Sequence, residues 1–78
     1  GDFVNRQARY LADRLIRESG DKPEDQIAYA WTLAFARKPA ESETARMLRF
    51  LRDEGGDRRA LEQLCRVVLN MNEFVYPD

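Results

Sequence analysis

The order of apolar and polar positions along the chain predicts four helices and no strand. From Ile27 to Ala36 every residue except Thr32 is apolar, aromatic or alanine, and Trp31, the only tryptophan, stands in the middle. Ile27, Trp31 and Phe35 recur at i+4 with Ala30 and Ala34 beside them, so they share one helix face. Tyr29, Leu33 and Ala36 form a second apolar face on nearly the opposite side. A helix that is apolar most of the way round needs several neighbours to cover it. This stretch is therefore the expected centre of the fold.

The rest of the chain is patterned to supply that cover. Residues 3–19 predict a first helix with Val4, Ala8, Leu11 and Leu15 on one face, widened by Ala12 and Ile16. Asp2 is its expected N-cap and Gly20 its left-handed stop. Arg6, Arg9, Asp13 and Arg17 fall on the opposite side, and Asp13–Arg17 and Arg14–Glu18 have the favourable i,i+4 spacing. The second helix, 23–37, opens on Pro23, with Glu24 and Asp25 at the positive end of its dipole, and Pro39 forces it to stop. In the third, 41–53, Thr44, Met47, Leu48 and Leu51 face inward. Ala40 is a poor cap there, weaker than Ser or Thr by about 1 kcal/mol. Gly55 and Gly56 end that helix and Asp57 caps the fourth, 58–71. Leu61, Leu64, Cys65, Val68, Leu69 and Met71 give the fourth helix a broad apolar face. Continuing its wheel places Asn72 within that face, so either the helix breaks near Asn70–Met71 or Asn72 is a buried amide with partners. Val75, Tyr76 and Pro77 form an apolar tail expected to fold back on the core.

Short connections favour antiparallel or steeply crossing neighbours. The predicted fold is all-α: one domain, 1–78, built as a compact irregular bundle of four helices. The second and fourth helices carry most of the core. Leu11, Leu15, Ile27, Trp31, Phe35, Leu48, Leu51, Leu64 and Val68 are its predicted members.

Composition narrows the chemistry more than it defines it. Apolar residues make up 44% of the 78, enough for a core, although a domain this small buries only about 60% of its unfolded surface. Thirteen basic residues nearly balance 14 acidic ones, and a net charge of −1 gives no overall pull toward nucleic acid or an anionic membrane. No histidine is present, which removes the commonest general base and metal ligand together. The single cysteine, Cys65, has no internal disulfide partner. The apolar run at Ile27–Ala36 is far too short to span a bilayer. The chain opens on Gly1 without an initiator methionine, and reads as a piece excised from a larger protein.

Each cluster of reactive side chains has a plain structural account. Cys65 on an apolar helix face is expected to be a buried small hydrophobe, since a nucleophile needs exposure and a base. Glu24 with Asp25, and Glu41 with Glu43, could form acid/base pairs, but their place in first helical turns already explains them. Arg46, Arg49 and Arg52 make a basic row, the best nucleic-acid footprint available. Acids interleave with it and no exposed aromatic accompanies it, so a solvated face is the expectation. The carboxylates around Asp21, Glu24 and Asp25 match no calcium loop, and neither a metal nor any other cofactor is expected. Asn70, Asn72 and Glu73 near the end of the chain, together with Arg37, are predicted to form a structural polar cluster. Within it, Asn70 or Asn72 is expected to tether the turn at residues 36–41 by side-chain to backbone hydrogen bonds.

Three segments carry a resemblance to a known family. The run from Leu64 through Asn70-Met71-Asn72-Glu73-Phe74 to Asp78 resembles the closing stretch of a planctomycete domain of unknown function. That domain ends large proteins that often carry a planctomycete-specific cytochrome-c-like module. Ala30 to Pro39 is similar to the family's Leu-Gly-Arg-x-Pro turn, with Ala36 where glycine is usual and Ala40-Glu41 replacing Thr-Pro. Phe3-Val4, Gln7-Ala8 and Leu11-Ala12 are similar to its opening. The resemblance implies the C-terminal helical part of a much larger, exported protein, hence a periplasmic or extracytoplasmic location, and implies no catalytic residue. No Cys-x-x-Cys-His occurs, so any haem would belong to another module.

The expected function is a non-catalytic structural or interaction module packing against the remainder of its parent or another protein, with no nucleic acid and no membrane span. One alternative makes the chain a wall of an active site in a polysaccharide-processing or redox-linked parent enzyme. A second is weak nucleic-acid binding through Arg46, Arg49 and Arg52.

Overall fold

The structure, a computed structural model, describes residues 1–72. Within that range the chain forms α1 (Asp2–Ser19), α2 (Pro23–Phe35), α3 (Glu41–Asp53) and α4 (Arg58–Met71), with no strand among the described residues. The all-α, four-helix class expected from the hydrophobic pattern is what the chain adopts. The predicted tail of Val75, Tyr76 and Pro77 lies outside the described residues, as does Glu73.

Helix ends differ from expectation where backbone hydrogen bonding overrides the side-chain signal. The cap of α1 is Gly1, not Asp2: the Gly1 carbonyl already accepts the Asn5 N–H at 3.0 Å. Asp2 becomes the first helical residue, where the dipole favours a carboxylate. At the other end Gly20 has φ 88° and ψ −156°, an extended positive-φ conformation open essentially to glycine alone. The stop is therefore glycine-dependent as expected, though not through the left-handed helical region.

α2 stops at Phe35, two residues before the expected Arg37. A longer helix would need Pro39 to donate to the Phe35 carbonyl, and proline has no N–H. Ala36 instead turns the chain at φ 57° and ψ 31°, a left-handed conformation that favours glycine. Alanine is strained there by its Cβ. Ala36→Gly is expected to raise stability by about 1 kcal/mol, or about 4–8 °C in melting temperature. A thermal melt with no rise would remove the strain from consideration.

α3 ends as the Gly-Gly pair predicts. Gly56 N–H reaches the Leu51 carbonyl at 2.8 Å and Gly55 N–H the Arg52 carbonyl at 3.2 Å, the paired bonds of a Schellman cap. Asp57 then caps α4 through Oδ1, which accepts the Ala60 N–H at 3.0 Å.

α2 and α4 each pack against all three other helices, whereas α1 and α3 do not pack against one another. Ile27, Ala30 and Trp31 from α2, with Ala60, Leu61, Leu64, Cys65 and Val68 from α4, form most of the buried core. α1 adds Ala8, Ala12 and Leu15; α3 adds Met47 and Leu51. Leu11, Phe35 and Leu48, expected inside, are only partly buried and pack against this cluster from its margin. Trp31 meets Phe35 edge-on, with ring centroids 5.3 Å apart and planes at 62°. The second apolar face of α2 is covered less completely: Tyr29 and Leu33 are half-buried and Ala36 is exposed.

Candidate functional site

The polar residues predicted to gather near the chain's end divide into two separate devices. Arg37 does not join the asparagines. Its guanidinium forks onto Glu43, at 2.8 and 3.0 Å, and also donates to the Lys38 carbonyl at 3.1 Å. Glu43 Oε1 accepts the Ala40 N–H at 2.8 Å as well. This is the reciprocal half of a capping box, because alanine has no side-chain acceptor for the other half. A poor cap is thus compensated by an acid three residues on and an arginine from the preceding turn.

The Arg37 fork, followed by the Ala40 N–H, holds the Glu43 carboxyl down at about 2. A depressed carboxyl contributes stability above its unfolded value, near 4.3, and loses that contribution as pH falls toward the folded value. Wild-type stability is therefore expected to drop between about pH 5 and pH 2 more steeply than that of Glu43→Gln, which has no proton to take up. Urea titrations across that range check this. Parallel pH profiles for the two proteins would deny the clamp any role.

Asn72 forms the second device. It is half-buried, and its Nδ2 donates to the Ala34 carbonyl at 2.7 Å. The tether expected on residues 36–41 thus falls just before them, on the last turn of α2. The left-handed residue at Ala36 carries the chain off the helix path and frees this carbonyl, one of the last four in α2. Asn70 is exposed, and Glu73 lies outside the described residues.

Between α3 and α4 the surface opens into a groove of about 190 Å³, lined by Trp31, Glu43, Arg46, Met47, Val67 and Met71. Trp31, wholly buried, lies at the base of this groove. Its Nε1–H lends the Glu43 carboxylate slight support, but no acceptor lies within hydrogen-bond distance. It is the buried side-chain polar atom left without a partner among the described residues.

Other predicted candidates lie apart. Arg46, Arg49 and Arg52 are all exposed. They do not converge, since Arg46 borders the α3–α4 groove while Arg52 borders a different one with Asp21, Gln26, Asp57 and Arg58. Cys65 is fully buried, and desolvation pushes its thiol up to about 12, leaving the thiolate scarce at neutral pH. No group of three or more acids or thiols placed to hold a metal occurs among the described residues. No helix of the described residues is long and apolar enough to cross a membrane.

Two contacts had no readable signal in the sequence. Tyr29 Oη donates to Glu18 Oε1, which also accepts from Arg14 Nε at 3.2 Å. The Arg14 guanidinium lies 5.9 Å from the Tyr29 ring centroid. The i,i+4 rule finds Arg14–Glu18, but the tyrosine arrives from another helix. Similarly, Gln26 is buried and donates from Nε2 to the Gly20 carbonyl at 2.8 Å, holding the α1–α2 turn closed. Its neighbours Asp25 and Ile27 say nothing of that.

Comparison with family models, curated proteins and solved structures gives no match to this chain.

Proposed function

We propose that this chain is a non-catalytic helical module at the C-terminal end of a large exported protein of the planctomycete family it resembles, and that it packs against the remainder of that protein or a partner. The observation that carries this is on α1. Phe3 and Tyr10 are 55% and 70% exposed, and their seven-residue spacing puts them on one face. Arg6, Arg14 and Arg17 are exposed on the same helix. Aromatic side chains with arginine are the composition of interface centres, where such residues carry most of the binding energy. The left-handed Ala36, at the position where the resembled family has glycine, also supports the family reading.

The upstream polypeptide of the same gene product, produced separately, is the direct probe. It is expected to bind the isolated chain in calorimetry, and Phe3→Ala with Tyr10→Ala to weaken binding at least about tenfold. Lack of association, or an unaffected double variant, overturns the proposal. The active-site-wall alternative gains nothing from Asn72, whose amide is engaged by the Ala34 carbonyl. Against the nucleic-acid alternative, a low-salt gel-shift is expected to show no retained complex, because the arginine row does not converge.

A further inference from the structure

The arginines along α1 and at the start of α4 divide into two sets. Arg14 pairs with Glu18 at 3.2 Å and Arg17 with Asp13 at 3.1 Å, while Arg58 pairs with Glu62 at 3.1 Å and Asp13 at 3.7 Å. Arg6 and Arg9 make no ion pair among the described residues. The local sequence explains why. One turn on from Arg6 stands Tyr10, and the acid one turn on from Arg9 is Asp13, already held by Arg17 and Arg58. Asp2, one turn before Arg6, is not paired with it.

Single solvated arginines are ordinary on a surface. These two share a concave place. Arg6, Arg9, Tyr10, Asp13 and Arg58 line a groove of about 320 Å³ where α1 meets the start of α4. Arg58 is fixed there by a further bond, from Nη2 to the Arg9 carbonyl at 3.3 Å. Asp13 and Glu62 offset Arg17 and Arg58, so the excess positive charge is that of Arg6 and Arg9. Three residues apart on a helix, those two are neighbours. Phe3, Arg6 and Tyr10 stand at i, i+3 and i+7, which puts both exposed aromatics on the arginines' side of α1.

Small-molecule sites are mostly apolar, whereas Tyr10 is the uncharged wall of this groove. A protein segment gains more, because it also covers Phe3 outside the groove. A nucleic-acid strand repeats its charge at every phosphate, and one running along this face passes Asp2, Asp13 and Glu62 as well as the arginines. One or two carboxylates can sit on Arg6 and Arg9 alone.

We propose that this face of α1 docks an acidic segment of its protein partner. Arg6 and Arg9 fork onto carboxylates of that segment, and an apolar side chain beside them packs on Phe3 and Tyr10. The planar guanidinium suits this role, since its paired donors match the two oxygens of a carboxylate. The inference rests on the reading of α1 as an interface and adds the chemistry of what it meets.

Calorimetry with the upstream polypeptide tests it. R6Q/R9Q is expected to weaken binding at least about tenfold at low salt. Wild-type affinity is expected to fall by about as much between about 50 mM and about 300 mM salt, where the charges are screened. K22Q/K38Q removes the same charge elsewhere and is expected to bind within about twofold of wild type. Circular dichroism checks that both variants remain helical. Binding that F3A/Y10A weakens, but R6Q/R9Q and salt do not, overturns the acidic partner and leaves the α1 interface standing. No association at all removes the interface reading, and this inference with it. Tighter binding to single-stranded oligothymidylate than to the polypeptide, lost in R6Q/R9Q, reassigns the groove to nucleic acid. Self-association lost in the same variant reassigns it to a second copy. Either result overturns the proposal.

Discussion

Trp31→Ala is expected to remove most or all of the domain's stability. The indole is fully buried and packed edge-on against Phe35. Its deletion removes that area from the core and leaves a void between α2, α3 and α4. Large-to-small changes of this kind cost about 3–5 kcal/mol. A chain of this length has a total stability of about 4–12 kcal/mol at 0.05–0.15 kcal/mol per residue. With a urea slope of about 1–2 kcal/mol/M, the midpoint falls by about 1.5–5 M, or no folded baseline remains. Far-UV circular dichroism is the readout, since the substitution removes the fluorophore. Trp31→Phe is the informative companion: it keeps much of the apolar area and removes the unpartnered N–H, so its loss is expected to be under about 2 kcal/mol. A Trp31→Ala midpoint within about 0.5 M of wild type would mean that α2 is not the centre of the fold.

Asn72→Ala has the second large effect. The substitution leaves the Ala34 carbonyl without this donor at the end of α2, where no later N–H replaces it. An acceptor stranded in a partly buried setting costs about 1–3 kcal/mol. Partial hydration places this case toward the lower end, and the melting temperature is expected to fall by about 4–8 °C. Asn72→Asp is a stricter probe, because the shape is kept while the donor is replaced by an acceptor. It should be at least as damaging near neutral pH. If both variants melt with wild type, the tether is incidental, and the end of α2 is held by the Arg37–Glu43 clamp alone.

What could be read in advance divides by the range of the interaction. Asp57 as a cap, the Gly55-Gly56 stop and Pro23 at a helix start are local chemistry, and all three appear where the sequence places them. Trp31 as the hub is also legible, because a helix with two apolar faces has few other uses. Leu11, Phe35 and Leu48 show the limit of periodicity: a face can be named from spacing, but its depth depends on how closely the neighbour approaches. Gln26 and Tyr29 lie beyond that limit, since their partners are set by the angle at which α2 meets α1. The candidate site was half legible. That Asn72 needs a partner follows from the helix wheel, whereas the choice of Ala34 follows from the left-handed turn at Ala36, for which alanine gives no local signal. The orphaned Nε1 could not be anticipated at all, being set by how the neighbouring helices close over the indole.

The pairing of α1 with α4 has a consequence for how this polypeptide is made. α4 carries Ala60, Leu61, Leu64, Cys65 and Val68, and it packs against α1 more extensively than any other helix does. During translation the N-terminal helix can meet α2 early, but its principal partner is absent until the fourth helix has emerged. At about 5–20 residues per second, the interval from the end of α1 to the end of α4 is about 3–10 s. Over that time Trp31 and its apolar neighbours are exposed on the nascent chain. A ribosome stalled before residue 58 would display them as ligands for chaperones.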